Sequence, residues 1–234
     1  MINSVFNIII QLVEYVPITL FMAISALILG LIFGSLLCFM KVSKKRFLRQ
    51  IGNLYTTVVR GTPTIVLLFL SYYGIPLFLA QFGIDGNDFS KVGYSIIALS
   101  AFSTSTISEI VRPAFLSISR GQIEAGEMVG LSKLEIFFNI LLPQIMIIAT
   151  PNLGNLFISL IHETSLAYVI GVIDVMGKAN LINNIHAGTQ TLLIYSAVAI
   201  IFWLFSYVLE KLTNYIVLKF GFFLHGINMG VRKI

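Results

Sequence analysis

The chain has 234 residues, of which 57% are hydrophobic and 11% charged, with a mean hydropathy of +0.94. Apolar runs of that number and length exceed what one soluble core can bury, so a soluble globular domain is excluded. The formal net charge of +5 sits on Lys and Arg residues that bracket apolar segments and form no aromatic-interleaved patch. That distribution argues for a membrane surface and against nucleic acid as the partner. Cys38 is the only cysteine, so no intrachain disulfide can form.

Residues 1–14 have neither a basic n-region nor a small-residue cleavage site, so no cleaved signal peptide is expected. Residues 6–15 suit a segment lying along the membrane interface. A bilayer core needs about 20 apolar residues as helix. Residues 15–40 carry no charge and make the clearest span, with Pro17 in its first turn. Gly30 and Gly34 within it form a GxxxG face, which either admits a close helix or is a chance pairing of glycines. Lys41, Lys44, Lys45, Arg46 and Arg49 follow at once and mark the cytoplasmic side, leaving the N-terminus outside. A second span covers residues 54–80, interrupted at Arg60-Gly61-Thr62-Pro63, where Pro63 breaks or kinks the helix. Arg60, near the cytoplasmic end, is expected to snorkel or pair.

An acidic turn over residues 81–90, with Asp85 and Asp88, fits the outside. The third span covers residues 91–118, with Glu109 and Arg112 paired on one face at i, i+3. A fourth span runs from Pro143 toward Leu166, broken up by Pro151 and Gly154, and the mixed segment 168–190 returns outside. The fifth covers residues 192–209, after which Glu210, Lys211, Lys219, Arg232 and Lys233 place the tail inside. The expected fold is thus an all-α integral membrane protein: five transmembrane helices, N-terminus outside, C-terminus cytoplasmic. Residues 15–218 form the transmembrane domain and 219–234 a basic cytoplasmic tail. An odd number of spans is no obstacle, because a second subunit can complete a pathway by two-fold symmetry.

Between spans three and four, residues 122–144 form one polar run in which Ile123, Met128, Val129, Leu131 and Leu134 recur at near-helical spacing. The pattern predicts two short amphipathic helices. Gly130 would end the first in a left-handed residue. Ser132 and Glu135 would start the second with a capping box, and Pro143 would open the next long helix. Spacing alone leaves two readings open, a docking hairpin or an ordinary solvated loop.

Glu124-Ala125-Gly126, Gly130 and Ile140-Leu141-Leu142-Pro143 resemble the EAA loop (E-A-A-x3-G-x9-I-x-L-P) of ABC importer permeases, with Gly126 in place of the second Ala. Arg60-Gly61-Thr62-Pro63, Tyr72-Tyr73-Gly74-Ile75-Pro76, Leu142-Pro143-Gln144, Pro151-Asn152-Leu153-Gly154-Asn155 and Glu163-Thr164-Ser165-Leu166 resemble the polar amino-acid uptake branch of that family. The likeness covers nearly the whole chain in the family's order. It implies that Glu124, Ala125, Gly126, Gly130, Leu131 and Ser132 form coupling helices seated in a groove of a cytoplasmic ATPase subunit. It also implies a second permease subunit, identical or paralogous, an external substrate-binding protein, and residence in a prokaryotic cell membrane. The substrate class implied is polar amino acids, with a lean toward L-cystine or related sulfur amino acids.

Catalytic signatures are missing: there is no H-E-x-x-H, no G-x-S-x-G and no His/Cys cluster at metal spacing. Residues 171–178 imitate a phosphate loop, but five residues separate its glycines and Ala179 follows Lys178. No cofactor or metal is expected in this chain; ATP and Mg belong to the partner ATPase. Glu163 stands out inside His162-Glu163-Thr164-Ser165, about 30 Å along the helix axis from Pro143 at 1.5 Å per residue. An intramembrane carboxylate is a pathway candidate by default. It would accept a substrate ammonium while Thr164 and Ser165 hydrogen-bond, with His162 beside them. The other reading pairs Glu163 within the protein or leaves it at the outer interface. Among competing functions, an ion-coupled secondary transporter would require inverted repeats and several intramembrane ionisable groups, and a membrane enzyme would require a catalytic constellation.

Overall fold

The computed structural model describes residues 2–86 and 89–231; Asp88 of the acidic turn and Arg232 and Lys233 of the tail lie outside them. Every regular element among the described residues is helical. In chain order they are α1 (Ile2–Val13), α2 (Val16–Val42), α3 (Arg46–Arg60), α4 (Thr64–Ala80), α5 (Lys91–Leu116), α6 (Arg120–Met128), α7 (Lys133–Ile170), α8 (Val175–Ile185) and α9 (Thr191–Val231). Among the described residues, α2, α5, α7 and the Thr191–Lys219 part of α9 are each long and apolar enough to cross a bilayer. Helices α3 and α4 make up to a fifth span as a pair bent by 104°.

That bend sits at Gly61-Thr62-Pro63, as the sequence predicts. Pro63, in extended conformation at ψ 141°, precedes the first turn of α4. The second span, expected over residues 54–80, is accordingly broken into the end of α3 and all of α4. A wide π turn at Leu70–Gly74 interrupts α4 as well.

Two further expectations give way. Pro151 and Gly154 do not break the fourth span; the helix is continuous from Leu142 to Thr164. Proline is tolerated inside a membrane helix when neighbours absorb its freed carbonyl. Gly154 serves packing, because a Cβ there would collide with the Thr213 side chain of α9. The second arm of the central hairpin is not a separate helix either. Lys133–Ile136 passes through a π turn at Phe137–Leu141 directly into Leu142–Thr164. No glycine lies between Lys133 and Pro143 to stop it.

Packing follows the rule for membrane helices, where small residues let backbones approach. Helix α2 lies along α5. A Cβ at Gly34 would come within 2.8 Å of Ile107 Cβ and 2.9 Å of the Thr104 carbonyl. A Cβ at Gly30 would strike Ser103, whose hydroxyl donates to the Ala26 carbonyl at 2.7 Å. The GxxxG pair is therefore a real contact face. Met22, Ala26, Leu99, Ile107 and Leu160 are buried where α2, α5 and α7 meet. A second core joins Ile8 and Leu12 of α1 to Val175 and Ala179 of α8 and Ile194 and Ala197 of α9. Segment 168–190 is thus largely structured, through the end of α7 and through α8, and is no open loop.

Candidate functional site

The central hairpin is built by local rules. Ser119 caps α6 by accepting from the Gly121 N–H at 3.3 Å. The helix ends in a Schellman arrangement: the Leu131 N–H donates to the Gly126 carbonyl at 3.0 Å and the Gly130 N–H to Glu127 at 3.1 Å. Gly130 takes φ +82°, a left-handed conformation that favours glycine. The Ser132–Glu135 capping box then starts α7, with the Ser132 N–H donating to Glu135 Oε2 at 2.8 Å. Gly126 is buried, and a Cβ on it would lie 2.9 Å from Ile136 Cγ1, so the small residue at this position lets the two arms close. Gln144 Nε2 donates to Gln122 Oε1 at 2.6 Å and ties the hairpin to α7.

What the hairpin presents outward is mixed in character. Glu124, Ala125, Gly130 and Ser132 are exposed and Leu131 is half-buried. Around the turn, Met128, Val129 and Leu134 are 88%, 76% and 70% exposed. Apolar side chains therefore stand in the open on a charged, capped turn.

The second candidate group, His162 to Ser165, lies within α7. Thr164 is fully buried, and its hydroxyl donates to the Ile161 carbonyl at 2.7 Å. Ser165 donates to the His162 carbonyl at 2.6 Å. Both hydroxyls spend their protons on their own helix. His162 Nε2 lies 3.1 Å from Ser206 Oγ and joins α7 to α9. Glu163 is half-buried, and its carboxylate has no hydrogen-bond or ion-pair partner among the described residues. The reading that pairs it within the chain finds no support there.

Two polar sites escape the sequence reading. Lys41, counted above in the basic cluster that marks the cytoplasmic side, is buried: its Nζ donates to Glu109 Oε1 at 2.6 Å and to Ser108 Oγ at 2.8 Å. Arg112 does meet Glu109, at a longer 3.5 Å. A polar cavity of about 570 Å³, lined by Asn53, Thr56, Thr57, Arg60 and Glu109, opens beside this network. No one-dimensional pattern signals the contact, because 67 residues separate Lys41 from Ser108.

Asp174 is the other. It is fully buried, caps α8 by accepting from the Gly177 N–H at 2.9 Å, and accepts from Thr19 of α2 at 3.4 Å. Burial pushes its carboxyl up to about 6, against the pull of those hydrogen bonds. The spacing Asp174-x-x-Gly177 ahead of a helix was the available signal. It also explains the false phosphate loop. The N–H groups such a loop would offer are taken by Asp174 and, at Val175, by Thr19 Oγ1 at 3.4 Å.

Fold and site together define a multi-pass helical membrane subunit with an exposed polar hairpin. The chain belongs to the family of binding-protein-dependent transport system inner membrane components, whose model matches residues 26–221. It is similar to the probable amino-acid permease protein YxeN of Bacillus subtilis (strain 168), 36% identical over 203 residues, which are 87% of this chain and 88% of that one. It is similar also to the L-cystine transport system permease protein TcyL of the same organism, 31% identical over 214 residues covering 89% and 90% of the two chains. Among solved structures it resembles an amino acid ABC transporter with histidines, at a TM-score of 0.78 and 25% identity, over 93% of this chain and 97% of the other.

Proposed function

We propose that this chain is the permease subunit of an ATP-driven importer for polar amino acids. The observation that carries the reading is the α6–α7 hairpin, a rigidly capped turn that holds Met128, Val129 and Leu134 in the open beside Glu124. Such a surface suits a groove of a cytoplasmic ATPase subunit, which supplies ATP and Mg chemistry; this chain supplies none. Nucleotide binding and hydrolysis in that partner move the hairpin. Because its second arm continues into α7, force on Lys133–Ile136 reaches the span carrying Glu163 without passing through a flexible joint. Rigid-body motion of two permease subunits then opens the pathway to each side in turn.

The basic residues beside α2 orient the N-terminus outward and the hairpin and C-terminus toward the cytoplasm of a prokaryotic cell. Residues 15–218 are the transmembrane domain, 1–14 an interfacial segment and 219–234 a cytoplasmic tail. An external binding protein delivers substrate, and Glu163 receives its ammonium group. The named relatives favour amino acids, with L-cystine foremost. Glu124→Lys and, separately, Val129→Asp test the coupling role. Each variant should insert normally, retain less ATPase subunit on affinity purification and lose ATP-driven uptake. Normal ATP-driven uptake by both variants would refute it.

A further inference from the structure

The basic residues that follow α2 divide into two groups. Lys41 turns inward to Glu109 and Ser108. Lys44, Lys45, Arg46 and Arg49 are exposed, and their side chains have no hydrogen-bond or ion-pair partner among the described residues. Four cations without a counter-charge therefore stand within six residues at the turn from α2 into α3. Helix α3, which they open, has three sides. Gly52, Thr56 and Val59 are buried against the protein, and a Cβ at Gly52 would lie 2.9 Å from Lys41 Cγ. Asn53 and Arg60, on the second side, line the polar cavity described above. On the third, Phe47, Ile51, Leu54 and Val58 recur at i, i+4, i+7, i+11 and are exposed, an apolar line about 16 Å long at 1.5 Å per residue.

A crevice of about 420 Å³ lies where α2, α3 and α5 meet. Leu29, Phe33, Leu36 and Met40 form one wall, Ile97 and Ala101 the other. The Tyr55 hydroxyl, donating to the Ala101 carbonyl at 3.1 Å, closes the α3 side. From Met40 to Leu29 the crevice runs about 16 Å along α2, close to half of a hydrocarbon core about 30 Å thick. Its Met40 end adjoins the four cations. A free anion would neutralise those cations and leave the crevice empty, and apolar walls offer water no hydrogen bonds. An amphiphile with an anionic head and a hydrocarbon tail satisfies both parts at once. The orientation proposed above, on which this site rests, turns residues 44–49 toward the cytoplasmic leaflet, whose anionic lipids attract cations beside a span. We infer that one anionic phospholipid of that leaflet binds here, with its phosphate against Lys44, Lys45 and Arg46 and one acyl chain in the crevice. The apolar line of α3 faces the surrounding chains.

The test uses the assembled transporter, reconstituted with equal amounts of phosphatidylglycerol and phosphatidylcholine, extracted in mild detergent and assayed for the lipid it retains. The unaltered protein should keep phosphatidylglycerol over phosphatidylcholine by about tenfold or more, the scale expected of several cations acting together. That preference should fall about fivefold or more in K44Q/K45Q/R46Q. Ala101→Leu, which fills the crevice with every charge in place, should lower it as far. No preference in the unaltered protein, or an unchanged one in either variant, would overturn the site. Three further results would also overturn it by naming another occupant. Release of the retained lipid by inorganic phosphate or glycerol phosphate marks a site for free oxyanions. Loss of the ATPase subunit from K44Q/K45Q/R46Q with lipid retention intact marks a surface for an acidic protein. Near-complete oxidative cross-linking of Leu36→Cys between two copies marks a contact with a second copy. Labelling of Lys45→Cys by a membrane-impermeant thiol reagent outside intact cells would refute the orientation and the site together. Absence of the lipid preference while Lys45→Cys stays protected from that reagent refutes the site alone.

Discussion

Lys41 and Glu109 differ in how far each is cut off from water, and that asymmetry makes a quantitative prediction. The Lys41 side chain is 1% exposed and touches two acceptors, Glu109 Oε1 at 2.6 Å and Ser108 Oγ at 2.8 Å. Glu109 is 28% exposed, borders the polar cavity and keeps Arg112 at 3.5 Å. Removing one partner of a buried pair costs about 3–5 kcal/mol when the survivor is stranded. Glu109→Leu strands a buried ammonium with one hydroxyl, so its cost belongs near that range. Lys41→Met strands a carboxylate that still has a cation and water, and about 1–2 kcal/mol is expected after discounting for solvent. The double variant removes both charges and should cost less than the sum of the two, with a coupling of about 2 kcal/mol. At about 2–4 °C per kcal/mol for a chain of this size, Glu109→Leu should melt roughly 5–10 °C below Lys41→Met. The assay is thermal unfolding of the purified complex in lipid nanodiscs. Equal losses, a larger loss for Lys41→Met, or additive costs in the double variant would refute the reasoning.

The α2–α5 contact predicts that Gly34→Leu destabilises by about 1–3 kcal/mol, because the added atoms meet Ile107 Cβ and the Thr104 carbonyl with no room to relax. Gly74→Ala, with nothing within 4 Å of the new methyl, should be neutral or stabilising in the same melt. A similar loss in both would detach the effect from the helix contact. Asp174 predicts a pH dependence. Its carboxyl is raised from 3.8 to about 6 in the fold, so the folded state holds the proton more tightly than the unfolded one. That stability is fully present below about pH 4 and is lost as pH rises through 6. A shift of about two units corresponds to at most about 3 kcal/mol. Asp174→Asn keeps an oxygen for the Gly177 N–H and cannot ionise. It should match the unaltered protein near pH 4 and exceed it at pH 7.5; a deficit at pH 7.5 would show that the loop needs the charge.

Local signals in the sequence carried local structure well. Gly130, Ser132 and Glu135 specify the hairpin turn through interactions within a few residues, and the structure realises each of them. Pro63 marks a sharp bend for the same reason. Gly154 misleads because its effect depends on a neighbour, Thr213 on a helix nearly sixty residues away. Lys41 misleads more deeply. A lysine after an apolar run has the same local appearance whether it meets headgroups or a carboxylate on α5, and only tertiary packing decides.

The most direct measurement is uptake of labelled polar amino acids into proteoliposomes that contain this chain with and without the proposed ATPase partner. The account predicts accumulation only when the partner and ATP are both present, abolished by Glu124→Lys. Accumulation by this chain alone, driven by a sodium or proton gradient with no nucleotide, would contradict it.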